Sequence, residues 1–155
     1  MDDSARGGQV SQWGQWDGYA DQLRKQLPPA PEGLLNLYVS WAPWLAIIFG
    51  AISLFLLVVA GLIFTALSPF LLLGGASGVA AGLQGLVGLI LGIAGAALSV
   101  LGGYWMLQRR LMGWRILALG IIIGALNDLV HLAIIGLIIV LLIGYIHLQV
   151  KPRYN

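Results

Sequence analysis

At 155 residues, with 59% hydrophobic and 9% charged residues and a mean hydropathy of +0.92, the chain has more apolar surface than a water-soluble fold of this size can bury. It reads as one domain of an integral membrane protein, with the lipid bilayer as its solvent. The formal charge of +2, spread over three small groups of basic residues, argues against a nucleic-acid partner. Without cysteine there are no disulfides, thiolate metal sites or cysteine nucleophiles.

Residues 1–40 read as an amino-terminal cytoplasmic tail. They contain no short apolar core ending at a small-residue cleavage site, so the first hydrophobic segment is expected to act as its own insertion signal. Val10, Trp13, Ala20, Leu23 and Leu27 recur at helical spacing opposite Asp17, Asp21 and Lys25, which predicts an interfacial helix weakened by Gly14 and Gly18. After the breaker LPPAPEG, Leu34, Leu37, Tyr38 and Trp41 share one face, as in a segment lying on the headgroups. Pro43 suits the first turn of the helix that follows.

The first span is expected over about 44–67. These 24 uncharged residues would measure roughly 36 Å as a helix, enough to cross a ~30 Å hydrocarbon core. Ser68 and Pro69 are expected to end it. LLLGGASG forms an uncharged connection, and a second span follows over about 79–107. From Ile116 to Leu148 the chain is apolar except at Asn127, Asp128 and His131, and one helix over those 33 residues would measure about 50 Å, more than the core needs. Split at Asn127 and Asp128, the stretch gives a third span over about 111–126 and a fourth over about 129–149. Residues 41–150 are therefore expected to form an all-α, polytopic transmembrane bundle of four spans, the last two a tight helical hairpin, followed by a cytoplasmic tail at 151–155.

Charge placement supports four spans. All eight basic residues then share one side: Arg6, Arg24, Lys25, Arg109, Arg110, Arg115, Lys151 and Arg153. Three spans would carry Lys151 and Arg153 across, against the bias of short loops toward basic residues on the cytoplasmic side. Trp41, Trp44, Trp105, Trp114, Tyr104 and Tyr145 fall at the same interface. The expectation is a multi-pass protein of the cell membrane with both termini cytoplasmic.

The turn reading gives Asn127 the left-handed conformation that ends a helix, and Asp128 the capping of the next helix's free amides. Asp128 and His131, three residues apart, can also lie side by side, as an intramembrane acid/base pair would require. His131 and His147 are sixteen residues apart, which separates them by about 24 Å and ~160° on one helix, so they cannot ligate one centre. No metal or cofactor is expected from this chain alone. Either imidazole suits a single axial ligand to a haem or chlorin supplied by a larger complex, but an interfacial side chain is the simpler reading.

The second span carries the strongest pattern. At 100° per residue, Gly78, Gly82, Gly85, Gly88, Gly92, Gly95, Ser99 and Gly103 fall within about 140° of arc. Such a face lets another helix approach closely and gain dispersion contacts, which in lipid replace the hydrophobic drive. Contact with another helix of the same chain is the first expectation, and self-association or docking to a partner the second. Gly120 and Gly124 of the third span are a matching surface. A pore is disfavoured, since the spans offer only Ser53, Thr65, Gln84 and Ser99 as polar lining.

Two resemblances attach to particular residues. GGASGVAAGLQG resembles the nucleophile segment of rhomboid intramembrane serine proteases, and HLAIIG their histidine segment. The resemblance implies Ser77 as nucleophile and His131 as base, a sensible dyad in outline. Rhomboids, however, have a six-helix core and oxyanion-hole residues that have no match here. Separately, GWRILALGIIIGALNDL and IIGLIIVLLIGYIHLQVKPRY are similar in pattern to small uncharacterised bacterial membrane proteins of four spans, a resemblance that carries no activity. The reading overall is a non-enzymatic integral membrane protein acting through helix packing as an accessory, assembly or scaffold subunit, with a membrane-protein partner or a second copy. A rhomboid-like serine hydrolase, and a single-ligand pigment or haem subunit of an energy-converting complex, are the alternatives.

Overall fold

The structure, a computed structural model, describes residues 12–154; Arg6 and Val10 lie outside the described residues. It is all-α, with helices α1 (Gln12–Gln26), α2 (Glu32–Leu72), α3 (Gly75–Leu107), α4 (Leu111–Val130) and α5 (Ile134–Gln149), and a closing 3-10 turn at Lys151–Arg153. Three helices, α2, α3 and α4, are long and apolar enough to cross a membrane, and the chain is a membrane protein. The apolar α5 has 16 residues, about 24 Å, and is shorter than a usual span. The central helix is α3, packed along much of its length by α2 on one side and α4 on the other. Helix α5 leans on α4, and α2 and α5 scarcely meet.

The headgroup segment and the first span expected from the sequence are one helix. α2 runs for 41 residues, about 61 Å, straight through Pro43 and Pro69. Two local features make this tolerable. Pro43 is fully buried, and its carbonyl lies against Gly103 of α3, where a Cβ would stand 2.7 Å away. Pro69 cannot supply the N–H that the Thr65 carbonyl would normally accept, but the Ser68 hydroxyl donates to that carbonyl at 2.8 Å. This is the side-chain repair by which membrane helices carry proline. Ser68 and Pro69 together therefore continue the helix they were expected to end.

The turn of the last hairpin also lies elsewhere than expected. α4 continues through Asn127 and Asp128 to Val130, and the reversal falls at His131–Ala133. Asn127 is helical. The left-handed residue is Leu132, with φ of 52°. The Leu132 N–H donates to the Leu129 carbonyl at 3.2 Å and the Ala133 N–H to the Asp128 carbonyl at 2.8 Å, the pair of bonds that defines a Schellman ending. The turn from α3 to α4 repeats it, with Arg109 at φ of 58° and bonds from Arg109 and Arg110 to Met106 and Trp105. Asn and Asp disfavour a helix by well under 1 kcal/mol each, too little to stop one when no glycine or proline follows.

Leu132 is 79% exposed and loses little packing when truncated, while the left-handed conformation costs a residue with a Cβ roughly 1–2 kcal/mol. Leu132→Gly is therefore expected to raise the thermal unfolding midpoint in detergent, by about 1 kcal/mol of stability. An unchanged or lowered midpoint would contradict the strained turn.

Candidate packing surface and polar sites

The glycine face of α3 is two faces. Gly78, Gly82, Gly85, Gly92 and Gly103 point toward α2, and Gly88, Gly95 and Gly102 lie about 90° round the helix, toward α4. A Cβ on Gly78 would stand 1.9 Å from the Leu71 carbonyl oxygen, one on Gly85 2.9 Å from the Phe64 ring, and one on Gly92 3.1 Å from Leu57. Toward α4, a Cβ on Gly102 would meet the Leu117 backbone nitrogen at 2.7 Å, and one on Gly88 the His131 ring at 2.4 Å. Gly82 and Gly95 are looser, with nearest atoms at 3.4 and 3.6 Å. The Ser99 hydroxyl donates to the Gly95 carbonyl at 2.9 Å, within its own helix.

Gly120 and Gly124 part company. Gly120 faces α3, where a Cβ would stand 3.4 Å from Leu98 Cβ and 3.6 Å from the Gly95 carbonyl, whereas Gly124 faces α5, with Val140 at 4.0 Å. Three further close approaches fall outside the pattern read from the sequence. Gly113 at the start of α4 sits on the Met106 nitrogen (2.4 Å), Gly102 on Leu117, and Gly50 of α2 on Val100 (2.9 Å). Gly50 has no neighbouring glycine at helical spacing, so no periodic signal marks it, whereas Gly113 stands seven residues before Gly120, on the same row of α4.

The best-buried polar group is His147, which the sequence reading left as an interfacial side chain. Its Nε2 lies 2.9 Å from the Trp114 carbonyl, and the Trp114 indole N–H donates to the His147 carbonyl at 2.7 Å. The two rings are parallel within 1°, with centroids 5.3 Å apart. A carbonyl can only accept, so Nε2 carries the proton and Nδ1 accepts from the Tyr38 hydroxyl at 3.0 Å. The imidazole is thus held neutral, with both nitrogens committed, and it joins α2, α4 and α5. The His147 carbonyl is one of the last four in α5, groups that lack a helical donor, and Trp114 supplies one.

A charged layer covers this knot and draws the amino-terminal segment onto it. Asp17 of α1 pairs with Arg115 through two hydrogen bonds, and the buried Lys151 donates to the Asp17 carbonyl at 2.8 Å and pairs with Asp21 at 2.9 Å. The Lys151 ammonium also sits 5.5 Å over the Trp114 ring. Arg153 reaches Glu32 and Asn36, and Tyr145 and Gln149 both donate to the Pro28 carbonyl. Burial pushes the nearby Tyr154 phenol above its ordinary range, against the pull of Arg109 and Arg153. Residues 12–40 and 151–154 thus form one assembly at this end.

At the other end, Asn127, Asp128 and His131 turn to different neighbours. The Asp128 carboxylate lies against the first turn of α5, where a Cβ on Gly136 would be 2.8 Å from it, and it makes no side-chain cap bond. His131 donates from Nδ1 to the Asn127 carbonyl at 2.8 Å and lays its ring on Gly88 of α3. Asp128 and His131 are not bonded to each other. Ser77 donates to the Gly74 carbonyl in the first turn of α3, eleven residues from Gly88, which is about 16 Å along the helix axis from the level of His131. The structure does not bring Ser77 and His131 together.

Two outcomes follow. Gly102→Ala forces a Cβ into backbone and is expected to cost about 1–3 kcal/mol in detergent unfolding, whereas Gly124→Ala, which meets only ordinary contact, is expected to be neutral or to gain up to about 1 kcal/mol of helix propensity. Equal effects would contradict the two-sided face. His147→Phe keeps a ring on Trp114 but leaves the Tyr38 hydroxyl unpaired and removes the second bond to the Trp114 carbonyl, and is expected to cost about 1–3 kcal/mol; a neutral result would contradict the knot. Compared with protein-family models, with curated proteins and with solved structures, the chain matches none of them.

Proposed function

We propose that this protein is a non-enzymatic, four-span integral membrane protein of the cell membrane, with both termini cytoplasmic, that acts through helix packing as an accessory, assembly or scaffold subunit of a larger membrane complex. The observation that carries this reading is an overhang. α4 reaches α3 as far as Gln84, whose amide donates to the Val130 carbonyl at 3.1 Å, and α3 continues nine residues beyond, about 14 Å, to Gly75. α2 accompanies it there. Over this stretch the two helices bear no charge, and Leu67, Phe70 and Leu83 are each more than half exposed. With α4 matched to a ~30 Å hydrocarbon core, the overhang would stand beyond the core on the side away from the basic residues. A hairpin so apolar needs a protein cover or a steep tilt, and a partner subunit supplies the cover.

Charge favours the topology. Neither the α2–α3 turn nor the α4–α5 turn contains a lysine or arginine, while Arg109, Arg110, Arg115, Lys151 and Arg153 gather at the opposite end with the charged face of α1. The short α5 reaches across a locally thinned bilayer, at a cost of fractions of a kcal/mol per Å.

Single cysteines test both parts. With no native cysteine to interfere, Gly75→Cys and Leu132→Cys are expected to label from outside the cell and Gln108→Cys only from the cytoplasm. Labelling of Leu132→Cys and Gln108→Cys from the same side would overturn the four-span topology. Leu67→Cys and Leu83→Cys on the overhang are expected to crosslink in native membranes to one defined protein, either another subunit or a second copy. A monomer that gives no crosslink from either position would overturn the packing role.

A further inference from the structure

Helix α1 has three faces, and each meets different surroundings. At 100° per residue, Ala20, Asp17 and Asp21 fall within about 100° of arc and turn to the bundle. Ala20 is buried there, and the two carboxylates hold Arg115 and Lys151. Lys25, Gly18, Gln22, Gln15 and Gln26 occupy a second arc of about 100°, all of them exposed and none with an apolar side chain. On the remaining side lie Tyr19, Leu23 and, just past the helix end, Leu27, four residues apart and within about 80° of each other. Tyr19 is 68% exposed and Leu23 51%, so the chain itself leaves this stripe uncovered. The stripe is not the apolar face expected from the sequence. Trp13 and Ala20, expected on it, turn to the bundle, where the Arg115 guanidinium lies 5.5 Å over the Trp13 ring, and Tyr19 takes their place.

The stripe faces down the bundle, not away from it. Tyr19, Leu23 and Leu27 line one apolar crevice with Ile122 and Ala125 of α4 and Leu141 of α5. Arg115, which α1 holds, and Ala125 are ten residues apart on α4, about 15 Å along its axis. The crevice therefore descends from the basic end to about the middle of a ~30 Å hydrocarbon core. Its lower walls belong to the outer surface of the bundle, since Ile122 is 41% exposed and Leu141 61%. α4 is long and apolar enough to cross a membrane, and a side chain exposed at that depth on a crossing helix lies against acyl chains. The α1 stripe continues this lipid-facing surface to headgroup level. The charges agree with that placement: both aspartates are turned to bundle cations, and the exposed Lys25 stands about 160° round the helix from Leu23, on the side of the water. A water-soluble partner would have to enter below the headgroups to cover the stripe.

We propose that α1 is an in-plane membrane helix docked on the leaflet at the basic end, with Tyr19, Leu23 and Leu27 inserted among the acyl chains that fill the crevice between α1 and the α4–α5 pair. Asp17 ties the inserted helix to Arg115 and Lys151, so α1 fixes the depth at which this end of the bundle sits. Only the crossing of α4 is needed for this, whatever covers the far end of α2 and α3.

The test uses the full chain, purified and reconstituted in phosphatidylcholine vesicles. The chain has no cysteine of its own, so single nitroxide labels go on Tyr19→Cys, Leu23→Cys and Leu27→Cys along the stripe, and on Gln15→Cys, Gln22→Cys and Gln26→Cys along the polar arc. All six positions are exposed, and three on each face keep the comparison readable should one label disturb the helix. Power saturation compares collisions with oxygen, which concentrates among acyl chains, and with a nickel chelate, which stays in water. The oxygen-to-nickel ratio on the stripe is expected to exceed that on the polar arc by about threefold or more, as for a face buried ~5–10 Å below the headgroups. Equal, nickel-dominated ratios on the two faces would put the whole helix in water and overturn the proposal. Stripe labels screened from both reagents would overturn it too, because a second copy of the chain would then cover the stripe.

Discussion

The structure depends on how closely backbone can approach backbone along α3. Lipid gives helices no hydrophobic reason to associate, so what holds them is the number of atoms brought to contact distance and the hydrogen bonds made along the way. Side chains on both partners would hold the axes apart. By removing the Cβ at Gly78, Gly85, Gly92 and Gly103 on one side and at Gly88 and Gly102 on the other, α3 lets α2 and α4 rest directly on its backbone. The arrangement answers to two helices at once, which explains why the small-residue arc is wider than a single contact needs. It also shapes an apolar groove between α2 and the α4–α5 pair: α2 and α4 are both drawn to α3 at about 90° to each other, and α2 and α5 scarcely meet.

Glycine packing positions helices without fixing which end of the bundle is closed, and the polar residues do that. At the basic end, the reciprocal bonds between Trp114 and His147 tie α4 to α5, Tyr38 adds α2, and Asp17 brings α1 in through Arg115 and Lys151. Each polar atom in the imidazole has one partner, so the histidine is buried without charge and without an orphaned group. The other end has no comparable knot. There Gln84 ties α3 to the Val130 carbonyl of α4, and among the described residues the Asn127 oxygen has no partner. The molecule is thus tightly built where it meets the charged layer and open where it meets lipid.

What the sequence revealed follows from which forces leave a periodic trace. The all-α membrane character, the apolar helices α3 and α4 and the glycine arc all repeat at helical spacing and were legible. The continuity of α2 was not, because proline is read as a stop unless one sees that the Ser68 hydroxyl serves the Thr65 carbonyl and that Pro43 is buried on Gly103. The turn was placed at Asn127 and Asp128 because they are the polar residues in the stretch, but the chain reverses at Leu132, a residue with no turn propensity, through backbone bonds that leave no mark on composition. His147 looked like one interfacial histidine among aromatics. Its partners, Tyr38 and Trp114, are 109 and 33 residues away, and only the fold brings them together.

The central claim is that α3 holds both neighbours at backbone contact, and disulfide trapping measures that distance most directly. A Cβ at Gly120 would stand 3.4 Å from that of Leu98, and a Cβ at Gly50 would stand 3.2 Å from that of Ser99, a few tenths of an ångström short of the ~3.5–4.5 Å that a disulfide spans. The chain has no cysteine of its own, so the pairs Leu98→Cys with Gly120→Cys and Gly50→Cys with Ser99→Cys can be read by loss of maleimide reactivity on mild oxidation in the membrane. Both pairs are expected to close within a single chain. If neither closes, or if only one does while the other stays fully reactive, α3 does not carry α2 and α4 on its bare backbone together, and the account is wrong.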